Sequence, residues 1–309
     1  MIAVTPVESD AVGETAPPPA PKQSNVVAAI LWMIGTLLSF SLMAVAVREL
    51  RGTLNLSEIV MVRSLGGLAV LVLVLLAYPH LFKELALRRP FVHLIRNGTH
   101  FGATLGWAFG VMTLPLATVF AIEFMMPVWA GILAVLLLGE KFTFSRGGSI
   151  VLGFLGVLVI MRPGIEAFQP AALAVLAASF GYAVSNIATK KLVPVQHTIA
   201  ILFWMNVMQV VMALFGTDLL FPLRLTGWHW LAAIGIGVSG AAAHYCLTNA
   251  LRVADAIVVI PLDFLRIPLI AFVGWMFYAE KLDLAVFAGA AIIVAGIVWN
   301  LRAETRTKA

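Results

Sequence analysis

The sequence predicts an all-α integral membrane protein with ten transmembrane helices, arranged as two inverted repeats of five helices. Composition gives the first reason: 61% of the 309 residues are hydrophobic and 11% are charged, with a mean hydropathy of +1.01. A soluble domain typically carries about 25% charged residues. The second reason is a series of ten apolar runs, and the third is a residue pattern that recurs after 140 positions.

Each apolar run is compatible with a helix that crosses about 30 Å of hydrocarbon. The connections are short and often contain proline or glycine, so none leaves room for a second domain. Residues 1–25 are proline-rich and have no apolar core of a signal peptide, which predicts a disordered cytoplasmic tail. The predicted spans are roughly 26–47, 57–78, 91–112, 116–138, 146–161, 170–189, 197–221, 230–250, 256–278 and 283–301. The predicted units are the tail 1–25, a first repeat 26–164, a second repeat 165–302 and a cytoplasmic tail 303–309.

Lysine and arginine predict the orientation, because the cytoplasmic loops of membrane proteins are enriched in both. With the N-terminus in the cytoplasm, 12 of the 20 Lys and Arg residues face the cytoplasm and five face the outside. The other three, Arg63, Arg96 and Arg266, lie within spans. We therefore expect a multi-pass protein of the bacterial inner membrane with both termini in the cytoplasm. These clusters explain the basic pI of about 9.6, and no nucleic-acid partner is expected.

The recurring pattern predicts an internal duplication. An apolar stretch at 116–138 carries one carboxylate, and adding 140 to each number reaches a second stretch with one carboxylate at the same place. Because five helices are an odd number, the two halves must have opposite orientations, as in many secondary transporters. The constant offset pairs Glu123 with Asp263, Phe124 with Phe264, Ser39-Phe40 with Ser179-Phe180, Ala103 with Ala243 and Gly156 with Gly296.

A set of short motifs in the first half resembles a known family of transporters. The motifs are Thr113-Leu-Pro-Leu-Ala117, Phe124-x-x-Pro127, Leu138-Gly-Glu140, the Gly153 to Ile160 run and Arg162-Pro-Gly164. The second half keeps Ala256, Pro261 or Pro268, Glu280 and Gly296. Over 26–302 the chain resembles the EamA-type branch of the drug/metabolite transporter superfamily. The resemblance implies two five-helix repeats around a central path lined mainly by helices 1–4 and 6–9. It also implies amino acids, nucleosides, vitamins or drugs as substrates, without a catalytic motif.

The two paired acids are the first candidates for a substrate site. A charge near the bilayer centre costs at least about 2.5 to 3.5 kcal/mol on insertion scales, which favours a functional reason for Glu123 and Asp263. At about 1.5 Å per residue, we expect them about 12 Å apart along the membrane normal, one on each side of the midplane. They suit an amine ligand or proton exchange with a substrate. The alternative is that each acid hydrogen-bonds a neighbouring helix and stabilises the bundle.

Arg266 follows Asp263 by one helical turn, so an ion pair within the helix is available. Its guanidinium either neutralises the acid or binds a substrate carboxylate or phosphate. Prolines 127, 261 and 268 predict kinks next to both acids. Kinks expose backbone carbonyls that can also bind a ligand.

Other polar and aromatic residues in the spans are weaker candidates, each with a packing alternative. His93, Arg96, His100 and Trp107 share one stripe of span 3, where the first two are expected to extend to the lipid headgroups. Small residues in spans 5 and 10 predict close helix contacts, and a homodimer is a further hypothesis. The predicted substrate-binding residues are Glu123, Asp263, Arg266, Arg63, His100, His244, Trp107 and Tyr182.

These features predict a secondary transporter that moves a small polar metabolite by alternating access. Export of an amino acid or a related compound is the first hypothesis. Uptake of a nucleoside-like or vitamin-like compound, such as S-adenosylmethionine or a flavin, is the alternative. Protons are a candidate coupling ion, and the other partners are the small-molecule substrate and the lipid bilayer.

An enzyme or a receptor is the competing class. Gly237-Val-Ser-Gly240 matches a nucleophile motif of rhomboid-like proteases, but the one later histidine, His244, lies on the same helix. A receptor or scaffold would not need matched acids in a repeat. With one cysteine, Cys246, and no Cys/His spacing for a metal, no cofactor, metal or catalytic residue is expected.

Overall fold

The computed structural model describes residues 25–138, 143–161, 169–253, 259 and 262–308. These residues form α-helices and two short 3₁₀ helices, Pro79–Glu84 and Phe221–Arg224, which confirms the all-α class. The motif residues Glu140, Arg162, Pro163, Gly164, Ala256 and Pro261 lie outside the described residues, as does most of the tail 1–25. The α-helices are α1 (Val26–Glu49), α2 (Leu56–Ala77), α3 (Pro90–Thr113), α4 (Leu116–Glu123), α5 (Met126–Leu138), α6 (Phe144–Met161), α7 (Pro170–Leu192), α8 (Thr198–Leu214), α9 (Trp228–Val253), α10 (Arg266–Tyr278) and α11 (Leu284–Lys308).

Seven stretches of the described chain are long and apolar enough to cross a membrane, so the protein is a multi-pass membrane protein. Helices α8 and α10 are apolar but shorter, and α3 is more polar because it carries two histidines, an arginine and an asparagine. The number of ten spans therefore stays a prediction. The seven stretches are Val27–Glu49, Leu56–Ala77, Leu116–Leu137, Phe144–Met161, Pro170–Leu192, Trp228–Ala250 and Leu284–Ala303.

Two predicted helix ends differ from the structure. The span predicted to reach residue 221 ends as α8 at Leu214, and the chain then turns at Gly216. Helix α11 continues to Lys308, although a tail is predicted from 303, because no proline or glycine follows Gly296 to stop it. The start of α2 is fixed by a capping box in which Asn55 and Glu58 accept each other's backbone N–H groups, at 2.9 and 2.8 Å.

The stretch that carries Glu123 is a broken helix. Helix α4 ends at Glu123 and α5 begins at Met126, separated by a turn at Phe124 and Met125. Pro127 has no N–H to donate to the Glu123 carbonyl four residues earlier, so the regular ladder fails at this point. At the place where Pro127 predicts a kink, the chain thus forms a two-residue turn with its own backbone hydrogen bonds, and Glu123 lies at the end of α4.

The helices pack in pairs that join the two halves of the chain. Helix α1 packs along α9, α3 along α7, and α6 along α11, while α2 contacts both α8 and α9. At the contact of α2 with α9, Gly66 and Gly237 face each other so closely that a β-carbon on Gly66 would lie 2.5 Å from the Gly237 Cα atom. Small residues allow such close approach between membrane helices. The predicted small-residue faces are confirmed for Gly156 and Gly289, which meet between α6 and α11.

Replacing Gly66 with valine should destabilise the protein, because the added carbons must push α2 away from α9. Overpacking of this kind typically costs about 1 to 3 kcal/mol. We expect a lower thermal unfolding temperature of the purified protein in detergent. Gly98→Ala is the matched control, since nothing lies within 4 Å of a β-carbon there. Equal unfolding temperatures for Gly66→Val and the parent would contradict a tight contact.

Candidate functional site

The centre of the bundle holds two carboxylates on one guanidinium, a group named here the acid cluster: Glu123, Asp263 and Arg266. Arg266 Nη2 donates to Asp263 Oδ2 at 2.6 Å, and Nη1 lies 3.9 Å from Glu123 Oε1. Arg266 is 5% exposed, so the charges meet in a largely dry environment. The predicted pair one turn apart is present in the structure, and the acid of the other half joins it.

The acids of the two halves meet through one long side chain. Arg266 lies within 4.0 Å of both carboxylates, while the separation of about 12 Å along the membrane normal stays a prediction. Both acids also lie at interruptions of their helices, since turns follow at Phe124-Met125 and at Phe264-Leu265. One guanidinium therefore connects the stretch of α4 to the stretch that leads into α10.

Trp107 orients Glu123. Its indole Nε1 donates to Glu123 Oε2 at 2.8 Å, and the residue is 4% exposed. Trp107 is among the substrate-binding residues predicted from the sequence. Its ring packs edge-on against Phe120, with centroids 6.2 Å apart. Trp107 thus contacts the acid cluster through the Glu123 carboxylate.

Phenylalanine rings surround the guanidinium. The Arg266 Cζ atom lies 4.4 Å from the centroid of Phe40, 5.1 Å from Phe124 and 5.2 Å from Phe120. The ring centroids of Phe124 and Phe264, which the 140-residue offset pairs, lie 4.3 Å apart. Cation–π contacts favour this arrangement. The roles of Phe40 and Phe120 escaped sequence reasoning because a phenylalanine in an apolar helix carries no signal of its own.

Two polar atoms of the acid cluster have no hydrogen-bond partner among the described residues. They are Asp263 Oδ1 and Arg266 Nε, and both are buried. Buried polar groups are almost always hydrogen-bonded, so unpaired ones need an explanation such as a ligand or water. Together they offer one acceptor and one donor to a bound molecule.

A second polar group, named here the glutamine cluster, consists of Arg63, Ser64, His100 and Gln209. The Gln209 amide nitrogen lies 2.8 Å from His100 Nδ1, and its oxygen accepts from Ser64 Oγ at 3.1 Å and Arg63 Nη1 at 3.4 Å. The glutamine cluster therefore joins helices α2, α3 and α8. Gln209 was not among the predicted site residues, because a lone amide on an apolar helix is as often a packing contact.

Tyr182 and His244 extend these clusters from α7 and α9. The Tyr182 ring lies 5.2 Å from the His100 ring, and its hydroxyl is 3.5 Å from Thr104 Oγ1. His244 is exposed, and its ring lies 5.7 Å from Phe40, the same ring that covers Arg266. The structure thus brings the predicted His100 and Tyr182 together and places His244 beside the acid cluster.

His93 and Arg96 do not extend to the headgroups as predicted, because both are buried and bonded to neighbouring segments. Arg96 donates to Thr189 Oγ1 and to Asn97 Oδ1, each at 2.8 Å. His93 Nε2 lies 2.7 Å from Gln196 Oε1. These bonds attach α3 to α7 and to the connection that follows it, so the pair stabilises the bundle.

A further ion pair closes the end of the bundle where α1, α3 and α10 terminate, named here the far end. Arg48 Nη1 lies 2.9 Å from Glu280 Oε1, and the same guanidinium donates to the carbonyls of Val111 and Leu114. Glu280 Oε2 accepts the backbone N–H of Leu116 at 2.8 Å. We call Arg48, Glu280 and these backbone groups the far-end clamp. Beside it lies a cleft of about 370 Å³ that includes Thr118 and Lys281, apart from the two central clusters.

The described residues hold no group of three or more His, Cys, Asp or Glu side chains that could bind a metal ion. Ser239 of the protease-like motif is buried and donates to the carbonyl of Gly235 in its own helix, which is a packing role. The clusters therefore present charged, aromatic and amide groups to a ligand.

Comparison with known proteins shows the family to which this chain belongs. The model of the EamA-like transporter family matches residues 27–162 and 169–302. The chain belongs to the EamA-like transporter family. The resemblance inferred from the motifs is thereby confirmed, and the protein is a membrane transporter.

Relatives of this transporter carry several substrate names. This chain is 26% identical over 283 residues to an S-adenosylmethionine uptake transporter of Rickettsia felis, and the match covers 89% of this chain and 92% of the relative. It is 27% identical over 295 residues to a riboflavin transporter of Rhizobium johnstonii, covering 93% and 95%. A pseudopaline exporter of Pseudomonas aeruginosa is 27% identical over 282 residues, covering 87% and 93%. A solved crystal structure shares the fold with a TM-score of 0.62 and 18% identity, over 92% of this chain and 99% of that one.

Proposed function

We propose that this transporter moves S-adenosylmethionine, or a close analogue, across the bacterial inner membrane by alternating access. The observation that carries the proposal is the acid cluster: two carboxylates in a buried site lined by phenylalanine rings. S-adenosylmethionine combines a sulfonium and an ammonium cation with a planar adenine. Carboxylates attract the cations, and aromatic rings both attract cations and stack on the adenine. The Rickettsia felis relative named for this substrate supports the choice.

Matching backbone bonds support an inverted repeat as the basis of alternating access. At the first interruption, Met125 N donates to Ile122 O and Trp129 N to Met125 O, both at 3.0 Å. At the second, Leu265 N donates to Leu262 O at 3.1 Å and Leu269 N to Leu265 O at 3.2 Å. Each residue number in the second set exceeds its counterpart by 140. Two halves with the same local break can exchange conformations as the site opens to either side.

Helix packing between α6 and α11 agrees with the same symmetry. A β-carbon on Gly156 would lie 2.6 Å from the Gly289 carbonyl, and one on Gly296 would lie 3.3 Å from the Ser149 Cα atom. Adding 140 to 156 gives 296, and subtracting 140 from 289 gives 149. A shift of 140 residues therefore converts the Gly156–Gly289 contact into the Gly296–Ser149 contact. This pattern is expected if α6 and α11 are equivalent helices of two repeats.

The proposed topology has ten spans and both termini in the cytoplasm. It counts α4 with α5 as one span, α10 as part of another, and the polar helix α3 as a third that is sheltered by its neighbours. The far end, with the clamp, then faces the outside. The units 26–164 and 165–302 are the two proposed repeats.

An amino acid or related compound remains the second candidate substrate, with export as the direction. A zwitterion offers an ammonium group to the same carboxylates, and one relative is named an exporter. Direction follows from the gradients imposed on an alternating-access carrier, so substrate and direction need separate tests.

Counterflow in proteoliposomes tests the substrate. Vesicles loaded with unlabelled S-adenosylmethionine should accumulate the labelled compound, and riboflavin or single amino acids in excess should compete poorly. Empty vesicles are the control. Accumulation of a labelled amino acid or riboflavin, but not of S-adenosylmethionine, would replace the proposed substrate.

Proton coupling through the acid cluster is tested with an imposed pH gradient. We expect the gradient to drive uptake in the parent but not in Glu123→Gln or Asp263→Asn, because an amide cannot exchange the proton. Asp218→Asn is the matched control, since its side chain is 57% exposed in a connecting loop. Equal gradient dependence in the parent and both central variants would exclude this coupling role.

A further inference from the structure

We infer that the glutamine cluster is an anion subsite in which Arg63 binds the carboxylate of the substrate, while the acid cluster takes a cation farther along the same molecule, such as a sulfonium. This inference rests on the proposed transport function and adds a second recognition point to it. It assigns the substrate class as an elongated dipolar molecule with a carboxylate or a comparable anion at one end. Neutral compounds such as riboflavin would lack the group that Arg63 recognises.

The distribution of charge is the first argument. In the acid cluster two carboxylates share one guanidinium, so the cluster carries an excess of negative charge when both are ionised. In the part of the chain that the structure describes, Arg63 and Arg96 have no carboxylate within 4.0 Å. A buried charge without a counter-ion is costly, and a ligand anion can supply one.

The hydrogen bonds distinguish Arg63 from the two other arginines of the spans. Arg96 and Arg266 are buried and each is held by side-chain acceptors, Arg96 at 2.8 Å and Arg266 at 2.6 Å. Arg63 is half-buried, and its one hydrogen bond to the described residues is long, 3.4 Å to Gln209. Most of its five N–H groups are therefore available to a ligand, and a guanidinium suits a carboxylate because it can donate two parallel bonds.

Both clusters are contacted by residues of α3 and α9. On α3, Trp107, which donates to Glu123, follows His100 by seven residues, a rise of about 10 Å at 1.5 Å per residue. On α9, a β-carbon at Gly240 would lie 3.8 Å from Arg63 Nε, and His244, one turn later, contacts Phe40. An extended S-adenosylmethionine can place its carboxylate at Arg63 and its sulfonium and adenine toward the acid cluster and the phenylalanine rings.

Binding of two ligands that differ only in the carboxylate tests the subsite. S-adenosylmethionine and decarboxylated S-adenosylmethionine are titrated calorimetrically into the purified parent and variants. We expect the parent to bind the carboxylated ligand at least about tenfold more tightly, which corresponds to 1.4 kcal/mol. Arg63→Gln should abolish the difference, Arg63→Lys should keep part of it, and the buried Arg96→Gln should keep it. An undiminished difference in Arg63→Gln would overturn the subsite.

A second variant keeps the inference testable if Arg63→Gln folds poorly. Gln209→Glu retains Arg63 but places a carboxylate next to it, which should compete with the ligand and weaken binding of the carboxylated partner alone. Equal weakening of both ligands, or of neither, would contradict the assignment.

Further ligand pairs separate this inference from the choice of S-adenosylmethionine. If the parent binds neither form of that compound, the proposed substrate is wrong, and the same titrations use tryptophan with tryptamine and flavin mononucleotide with riboflavin. A preference for the anionic member that disappears in Arg63→Gln would still support the subsite. A parent that binds no anionic member more tightly than its neutral counterpart, or a preference that persists undiminished in Arg63→Gln, would overturn it.

Discussion

Replacing Arg266 with glutamine is expected to reduce transport by about a hundredfold or more. The guanidinium holds the carboxylates of Asp263 and Glu123, at 2.6 and 3.9 Å. Without it the two carboxylates lose the one guanidinium that they share among the described residues. A hydrogen bond to a charged group contributes about 1.5 to 3 kcal/mol, and 2.8 kcal/mol is a factor of about 100. Initial uptake rates at equal amounts of reconstituted protein measure the loss.

Arg266→Lys tests whether transport needs the two-pronged guanidinium group or only its positive charge. An ammonium group cannot contact both carboxylates through separate nitrogens, so we expect at least about a tenfold loss despite the unchanged charge. Arg88→Gln is the matched control, because the Arg88 side chain is exposed and donates to one backbone carbonyl, that of Val195. Full activity of Arg266→Gln would show that the acid cluster holds the bundle together without taking part in transport.

Removing the Arg48 side chain should open the far end of the bundle. Arg48→Ala leaves Glu280 without its counter-ion and frees the carbonyls of Val111 and Leu114, in a site where Arg48 and Glu280 are 11% and 12% exposed. Breaking a buried ion pair by removing one partner typically costs about 3 to 5 kcal/mol. We expect the thermal unfolding temperature in detergent to fall by at least about 5 °C.

Opening itself is measured with a cysteine probe. In a Cys246→Ala background, which removes the one native cysteine, Leu114→Cys provides a buried thiol beside the clamp. Its reaction with a membrane-impermeant maleimide should be at least about tenfold faster with Arg48→Ala. Glu280→Gln should have a smaller effect, because the amide still accepts from Leu116 N. Arg51→Ala, at an exposed loop position, is the control, and equal labelling rates in all variants would contradict a closing role.

The sequence predicted the helices well because membrane spans leave strong local signals. Hydrophobic length placed most helix ends within a few residues, and Pro127 predicted the interruption after Glu123. The 140-residue offset paired Glu123 with Asp263 before any coordinates, since two carboxylates in apolar runs are conspicuous. Where local signals were weak the prediction failed, as for the end of α8 and the length of α11.

Partners distant in the chain could not be predicted. No pattern in the sequence pairs Arg48 with Glu280, 232 residues apart, or Arg266 with Glu123, because residue spacing reports neighbours on one helix only. The expected headgroup contacts of His93 and Arg96 were wrong for the same reason. Both residues lie near the start of α3, and the acceptors that hold these side chains come from α7 and the segment after it.

By itself the sequence determined that this protein is a multi-pass helical transporter, with an acid in each half of a repeated pattern and breaks beside both. Those properties follow from hydrophobic length, proline chemistry and the cost of charge in lipid, all of which act locally. Only the tertiary structure decided that the acids share Arg266, that Trp107 serves Glu123, and that Arg63 keeps open donors beside Gln209. Those contacts depend on which helices pack together, and long side chains then reach across the bundle to partners that no spacing along the chain reveals.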